Sequence, residues 1–194
     1  MDEYLSGLKL YGDDLDLHQI QEWFSDEQEG YAQLGAKDRA AYHYSYHALN
    51  QFYGFRYLPN KRFNRVLGVG AAYGDELKPI IGSVNNATIL EPSDSLVIDS
   101  IEGVPVSYVK PVITAELPFE DEHFDLVTCF GVLHHIPNVT KMVSEIYRCV
   151  AKDGYVLIRE PVVSFGNWQY PRRGLTKHER GIPIRIFRSM LTAA

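Results

Sequence analysis

Three groups of residues in this 194-residue chain have types and spacings that could do chemistry. The first is Gly70, Ala72 and Gly74 in "NRVLGVGAAYGDEL", a glycine-rich turn between an apolar run and the start of a helix. Such a turn lets backbone approach a ligand closely, and the N–H groups of the helix start face polar or anionic atoms. The second is Glu91, which stands 91 − 70 = 21 residues after Gly70 at the end of a short apolar run. An acid there can accept hydrogen bonds from both hydroxyls of a ribose; it also suits the start of a helix, where the dipole favours it. The third is the pair His134 and His135 in "LHHIPN". An imidazole titrates near neutral pH and serves as a general base. Neighbours in sequence point in different directions, so one of the two is expected to pack or fix the loop, and His134 is the stronger base candidate.

The frame of the glycines decides the ligand class. A dinucleotide fingerprint needs G-x-G-x-x-G/A. Counted from Gly68, its third place falls on Tyr73, too bulky for that role, so the NAD reading fails. The frame that remains is Gly70-x-Ala72-x-Gly74. Elsewhere, "YHYSYHALNQFYGF" pairs Tyr42 with Tyr46 and His43 with His47 at i, i+4. It reads as an amphipathic helix packed on a sheet, or as a lid touching a ligand. From Arg172 to Arg188 the chain carries Arg172, Arg173, Lys177, Arg180, Arg185 and Arg188 against Glu179 alone. That is a solvated segment, or a basic lip for an anionic substrate. Trp23, Phe24 and Trp168 read as packing aromatics. No metal cluster is expected, and no Ser–His–Asp set or P-loop occurs. Cys129 and Cys149 lack metal-like spacing and read as buried thiols of a reducing, cytoplasmic compartment.

The elements that position these residues alternate. A helical segment opens the chain, with Leu17, Ile20 and Phe24 on one face of a helix and Tyr42, Tyr46 and Tyr53 on another. Then come a strand at Arg65–Val69, a helix at Asp75–Ile81, a strand at Thr88–Leu90 and a helix in "PSDSLVIDSI" capped by Ser93 or Asp94. "VPVSYVK" is a third strand, and "FDLVTCFGVL" a fourth, buried on both faces. "VTKMVSEIYRCV" is an amphipathic helix stopped by Gly154, and "YVLIREPV" a fifth strand. Alternation of this kind implies α/β architecture: a three-layer sandwich around a mostly parallel sheet. The net charge of -6 argues against a nucleic-acid surface. No apolar run spans a membrane and no secretory signal opens the chain. One domain is expected, with a helical cap over 1–62, a core over 63–161 and a tail over 162–194.

Four segments taken in order, "VLGVGAAYG", "ILEPS", "ELPFEDEHFDLVTCFGVLHHIPN" and "EIYRCVAKDGYVLIREP", resemble the successive motifs of the class I S-adenosylmethionine-dependent methyltransferases, in their small-molecule branch. The resemblance covers Arg65 to Pro161 and implies a Rossmann-like fold with S-adenosylmethionine as cofactor. It implies that Val69, Gly70, Ala71, Ala72 and Gly74 line the methionine and ribose part, and that Glu91 holds the ribose. Pro92 and Ser93 flank the adenine, and Thr114, Glu116 and Leu117 pass its edge, with Thr114 or Glu116 partnering its amino group. Phe130 and Gly131 border the methyl-transfer space with His134 beside them. The family usually has an acid where Gly68 stands and a glycine where Ala72 stands. The implied function is methyl transfer to a small-molecule or sugar-like acceptor; the alternative is a non-catalytic binding or assembly module. A full sheet of this family has seven strands and five are found here, so the C-terminal strands appear truncated and the fifth strand is left as an open edge. The tail covers that edge, or a second copy pairs there in a homodimer.

Overall fold

The structure is a computed structural model that describes residues 2–34, 39–163, 167 and 170–193; Trp168 lies outside the described residues. Its centre is β1 (Val66–Val69), β2 (Ala87–Leu90), β4 (Val104–Val109), β5 (Phe124–Phe130) and β6 (Val150–Arg159). With β3 (Ser100–Ile101) they form one sheet in the order β3-β4-β2-β1-β5-β6. All neighbours pair in parallel except β3 with β4. Strand β1 lies between β2 and β5, with Gly68 level with Ile89 on one side and Thr128 on the other. The chain order reverses there, and α/β sheets bind ligands beyond the carboxyl ends of strands at such a switch point.

Both faces of the sheet are covered, which is why β1 and β5 are almost wholly apolar. Leu67, Val69, Val127 and Cys129 face one core, shared with α4 (Val139–Cys149) and α5 (Ile184–Ala193). Val66, Ile89 and Leu126 face the other, closed by Leu77 and Ile81. Leu10 near the start of the chain and Ile182, Phe187 and Met190 near its end belong to the first core. Among the described residues no helix is long and apolar enough to cross a membrane.

Several local expectations change. The helix after the glycine turn is a 3-10 helix, Asp75–Ser83, with Pro79 inside it; proline removes an N–H and prevents regular α-helical bonding. "PSDSLVIDSI" forms one 3-10 turn, Asp94–Leu96, capped by Ser93. The chain then turns at Glu102 and Gly103, both at positive φ, so that β3 folds back on β4. Two central residues at positive φ make a tight hairpin, and this hairpin supplies a sixth strand. Helix α4 ends at Cys149, not at Gly154. Gly154 lies inside β6, where the register jumps from Phe124↔Val150 to Leu126↔Tyr155. A Cβ on Gly154 would sit 2.7 Å from Val150 Cγ2, so this bulge needs glycine.

The outer elements also differ. Helix α2 (Leu17–Leu34) buries Ile20, Trp23 and Glu27, while Leu17 is 64% exposed. Its inward face is therefore offset from Leu17, Ile20 and Phe24. Residues 42–46 are not helical; α3 (His47–Tyr53) begins after them, so Tyr42, Tyr46 and Tyr53 form no stripe. The tail ends in α5, which packs against α4. Among the described residues no strand pairs with the outer edge of β6. Arg180 is no surface lip: it is 1% exposed and donates to the carbonyls of Tyr11, Leu133 and Ile136.

Candidate functional site

A cavity of about 960 Å³ opens beyond the carboxyl ends of β1, β2 and β5. Its floor is the glycine turn. Gly70 has φ +60°, and a Cβ there would stand 2.6 Å from Val132 Cγ1. Conformation and the approach of the loop after β5 both require glycine at this position. Ala72 adopts φ 50°, costly for a residue with a Cβ. It is held by its N–H, which donates to Glu91 Oε2 at 3.2 Å, and by its carbonyl, which accepts from Tyr108 Oη at 3.0 Å. Its methyl group packs with Tyr73 and Leu96, behind the cavity wall. Ala72 and Gly74 thus shape the turn from behind, while Val69, Gly70 and Ala71 line the cavity.

Two buried carboxylates reach the cavity on either side of β1. Glu91, at the end of β2, is 2% exposed. Its Oε1 accepts from the Ser93 N–H at 3.0 Å while Oε2 takes the Ala72 N–H. Burial pushes its carboxyl above the usual range. Each oxygen keeps a second lone pair for a ligand. Glu76, on the 3-10 helix, is also 2% exposed and lines the cavity. Its Oε1 accepts from Thr128 Oγ1 at 2.6 Å, and burial pushes its carboxyl up to about 7. A Cβ built on Gly68 would lie 2.8 Å from the Ala71 Cβ and 3.7 Å from Glu76 Oε1. The strand position where the family carries an acid has no room for a side chain, and a carboxylate from the neighbouring helix stands beside it. The sequence reading missed Glu76, although "GDEL" carried the signal. Asp75 is bound by Arg39 and Lys78, which leaves Glu76 to turn inward.

The walls come from four segments. Pro92 follows Glu91 along one side, and Ile113 and Ala115 face inward. Thr114, Glu116 and Leu117 do not line the cavity: Thr114 approaches Glu116, and the Leu117 N–H donates to Glu145. Phe130 and Gly131 stand at the end of β5. Residues 42–46 cross the mouth, with Tyr42, His43, Tyr44 and Tyr46 on the cavity; His47 instead donates to the Asp75 carbonyl at 2.7 Å. Arg159, from the end of β6, holds Asn50 Oδ1 at 3.1 Å and lies 4.6 Å from the centre of the Tyr46 ring.

The far end is ionisable. His134 and His135 form a 3-10 turn with Leu133, and their rings lie side by side with centroids 4.1 Å apart. They do not point apart as their adjacency in sequence suggested. Glu160 accepts from the N–H groups of Val132 and Leu133 at 2.7 and 2.8 Å, and its Oε2 is 2.6 Å from His134 Nδ1. His135 Nδ1 is 2.8 Å from Glu27 Oε2. Glu179, from the tail, is 3.7 Å from His134 Nε2. Glu27, Glu160 and Glu179 were invisible to a reading by motif, because α2, β6 and the tail each deliver one of them.

Comparison with known proteins agrees with this geometry. A family model described as a methyltransferase domain matches residues 67–158. The uncharacterized methyltransferase YcgJ of Bacillus subtilis is 29% identical over 102 residues, 49% of this chain and 40% of YcgJ. The chain thus spans two-fifths of that relative's length. The solved YcgJ structure has a TM-score of 0.56, covering 69% of this chain and 62% of its own. A methyltransferase candidate from Bacillus halodurans is 25% identical with a TM-score of 0.60, covering 76% of this chain and 66% of its own. The [4+2]-cyclase SpnF, 18% identical, has a TM-score of 0.61 over 90% of this chain and 69% of its own, which shows the shared fold alone. With its strand order, its glycine turn at the switch point and the acid ending β2, the core of the chain is similar to the methyltransferase domain whose model matches residues 67–158.

Proposed function

We propose that this protein binds S-adenosylmethionine and transfers its methyl group to a small polar acceptor of the sugar type. The observation that carries the reading is the pair Glu76 and Glu91, two buried carboxylates facing one cavity across the glycine turn. The cofactor carries a ribose diol and an ammonium, and it supplies an electrophilic methyl on a sulfonium. Glu91 accepts from the diol, and Glu76 holds the ammonium. Ile113, Ala115 and Pro92 border the base; Thr114, Glu116 and Leu117 then support that wall from outside the cavity. Phe130 and Gly131 border the methyl end, where proximity and alignment supply most of the rate. His134 is the residue that activates the acceptor. Arg159, Glu160 and Glu179 give this end the polar character that suits a hydroxylated acceptor.

The reading is tested by calorimetry with S-adenosylhomocysteine; no binding at millimolar concentration sinks it. Glu91→Ala is expected to weaken binding by about 1–3 kcal/mol, because it removes charged hydrogen bonds to a buried ligand. An unchanged affinity removes Glu91 from the site. Binding without turnover on a panel of acceptors favours the alternative, a binding or assembly module. A homodimer through the outer edge of β6 belongs to the same proposal, and a monomer at every concentration in sedimentation removes it.

A further inference from the structure

The ionisable end of the cavity has the build of a metal centre. His134 Nδ1 faces Glu160 at 2.6 Å and His135 Nδ1 faces Glu27 at 2.8 Å. A carboxylate accepts and does not donate, so each Nδ1 carries a proton, which leaves Nε2 as the ring atom that could meet an ion. This outer carboxylate on the far nitrogen is what orients metal-binding histidines. Both carboxylates are themselves fixed, Glu160 by the N–H groups of Val132 and Leu133 and Glu27 by that of His178 at 2.9 Å. Glu179 Oε2 accepts from the Thr176 N–H at 3.2 Å, while Oε1 is the oxygen near His134 Nε2.

The distances leave room for an ion between these groups. His134 Nε2 and Glu179 Oε1 are 3.7 Å apart, too far for a hydrogen bond. Two ligands of a tetrahedral Zn²⁺, bound at about 2.0–2.2 Å, stand roughly 3.4 Å apart. One ligand atom from each of His134, His135 and Glu179 lies within 4.8 Å of the others. All three line the cavity, and their side chains are only 10%, 20% and 12% exposed.

We propose that His134, His135 and Glu179 bind one divalent first-row transition ion of the Zn²⁺ type. Two imidazoles and one carboxylate suit such an ion better than Mg²⁺ or Ca²⁺, which favour all-oxygen sets. Three protein ligands leave a coordination position open toward the cavity, as in catalytic rather than structural sites. A hydroxyl oxygen bound there would have its pKa lowered and lose its proton to water at the cavity mouth, so His134 would activate the acceptor as a ligand of the ion and not as the base itself. That role in acceptor activation rests on the methyl-transfer reading; ion binding does not.

The experiment uses the chain without a polyhistidine tag, stripped with a chelator and titrated with Zn²⁺ at near-neutral pH. One ion per chain is expected. Glu179→Gln and His134→Asn each lower the affinity at least tenfold, and Glu27→Gln, which leaves every ligand in place, lowers it about 10- to 100-fold. Co²⁺ loaded into the wild-type chain gives the intense visible absorption of a low-coordinate site. Zn²⁺ binding only at millimolar concentration overturns the proposal, as does an affinity unchanged in two variants that circular dichroism shows to be folded. Should the variants not fold, a Co²⁺ spectrum like that of the aqueous ion overturns it. Calorimetry with S-adenosylhomocysteine on the same wild-type sample separates the two readings. Cofactor binding without Zn²⁺ binding refutes the ion alone, and Zn²⁺ binding without cofactor binding refutes the methyl-transfer reading alone.

Discussion

Replacing Glu76 by Gln is expected to make the empty protein more stable and the cofactor complex weaker. The carboxyl is 2% exposed, and burial pushes it up to about 7 from the ordinary 4.5. A carboxyl with a raised folded pKa contributes stability that is fully present below about pH 4.5 and is lost as pH rises through 7. The difference of about 2.5 units corresponds to roughly 3 kcal/mol held back above pH 8. Glutamine keeps an oxygen for Thr128 Oγ1 and carries no charge to desolvate, so Glu76→Gln should melt at a higher temperature than wild type at pH 8, with the gap closing toward pH 5. Binding moves the opposite way. A charged hydrogen bond to an ammonium is worth about 1.5–3 kcal/mol, so S-adenosylhomocysteine should bind roughly 10- to 150-fold more weakly to the variant. The assay is calorimetry with two ligands, S-adenosylhomocysteine and 5′-methylthioadenosine, which lacks the amino-acid end. Only the first should lose affinity. Equal losses for both ligands, or an unchanged affinity for the first, would refute the assignment of Glu76 to the ammonium. A lower melting temperature at pH 8 would refute the argument from burial.

Gly68→Asp, which puts the family's acid back on β1, is expected to lower the melting temperature and weaken S-adenosylhomocysteine binding. Its Cβ would meet the Ala71 Cβ at 2.8 Å, and its carboxylate would face Glu76. A variant that binds more tightly than wild type would show that the strand has room. Arg180→Met is expected to cost about 3 kcal/mol or more in denaturant unfolding. It leaves the Leu133 carbonyl and part of its surroundings without the guanidinium and removes the cation facing Glu160 and Glu27; a loss under 1 kcal/mol would return the tail to a solvated role.

The central fold was legible because burial on both faces writes itself as continuous apolar runs. "VLGV" and "FDLVTCF" have no other comfortable environment, and the apolar spacing of α4 has one inward face. The place of Glu91 at the end of β2, on the cavity, was legible because a fixed strand–turn–helix path sets its distance from Gly70. What stayed hidden depended on partners far away in sequence. The β3–β4 hairpin rests on two residues at positive φ, one of them Glu102, and a glutamate there gives no hairpin signal. Tyr42 to Tyr46 have helical spacing, but α3 begins only at His47. The tail's cations looked like a surface feature because the carbonyls that bind Arg180 come from residues 11, 133 and 136.

The same physics explains how the glycine loop can depart from the pattern it resembles and keep its geometry. A side chain at position 68 would start 2.8 Å from the Ala71 Cβ, with Glu76 Oε1 3.7 Å away beside Thr128, so the turn leaves it no room and a carboxylate already stands next to it. Two carboxylates there would repel in a site that already raises the pKa of one, so Glu76 on the 3-10 helix disfavours a second acid on the strand. Ala72 fits a parallel logic. Its left-handed backbone is held by Glu91 and Tyr108, and its methyl fills a pocket between Tyr73 and Leu96 rather than the cavity. Neither departure puts a side chain into the cavity. With glycine at 68 and Glu76 on the 3-10 helix, a carboxylate still stands at the floor of the cavity, carried by a different element from the strand position of the pattern the loop resembles.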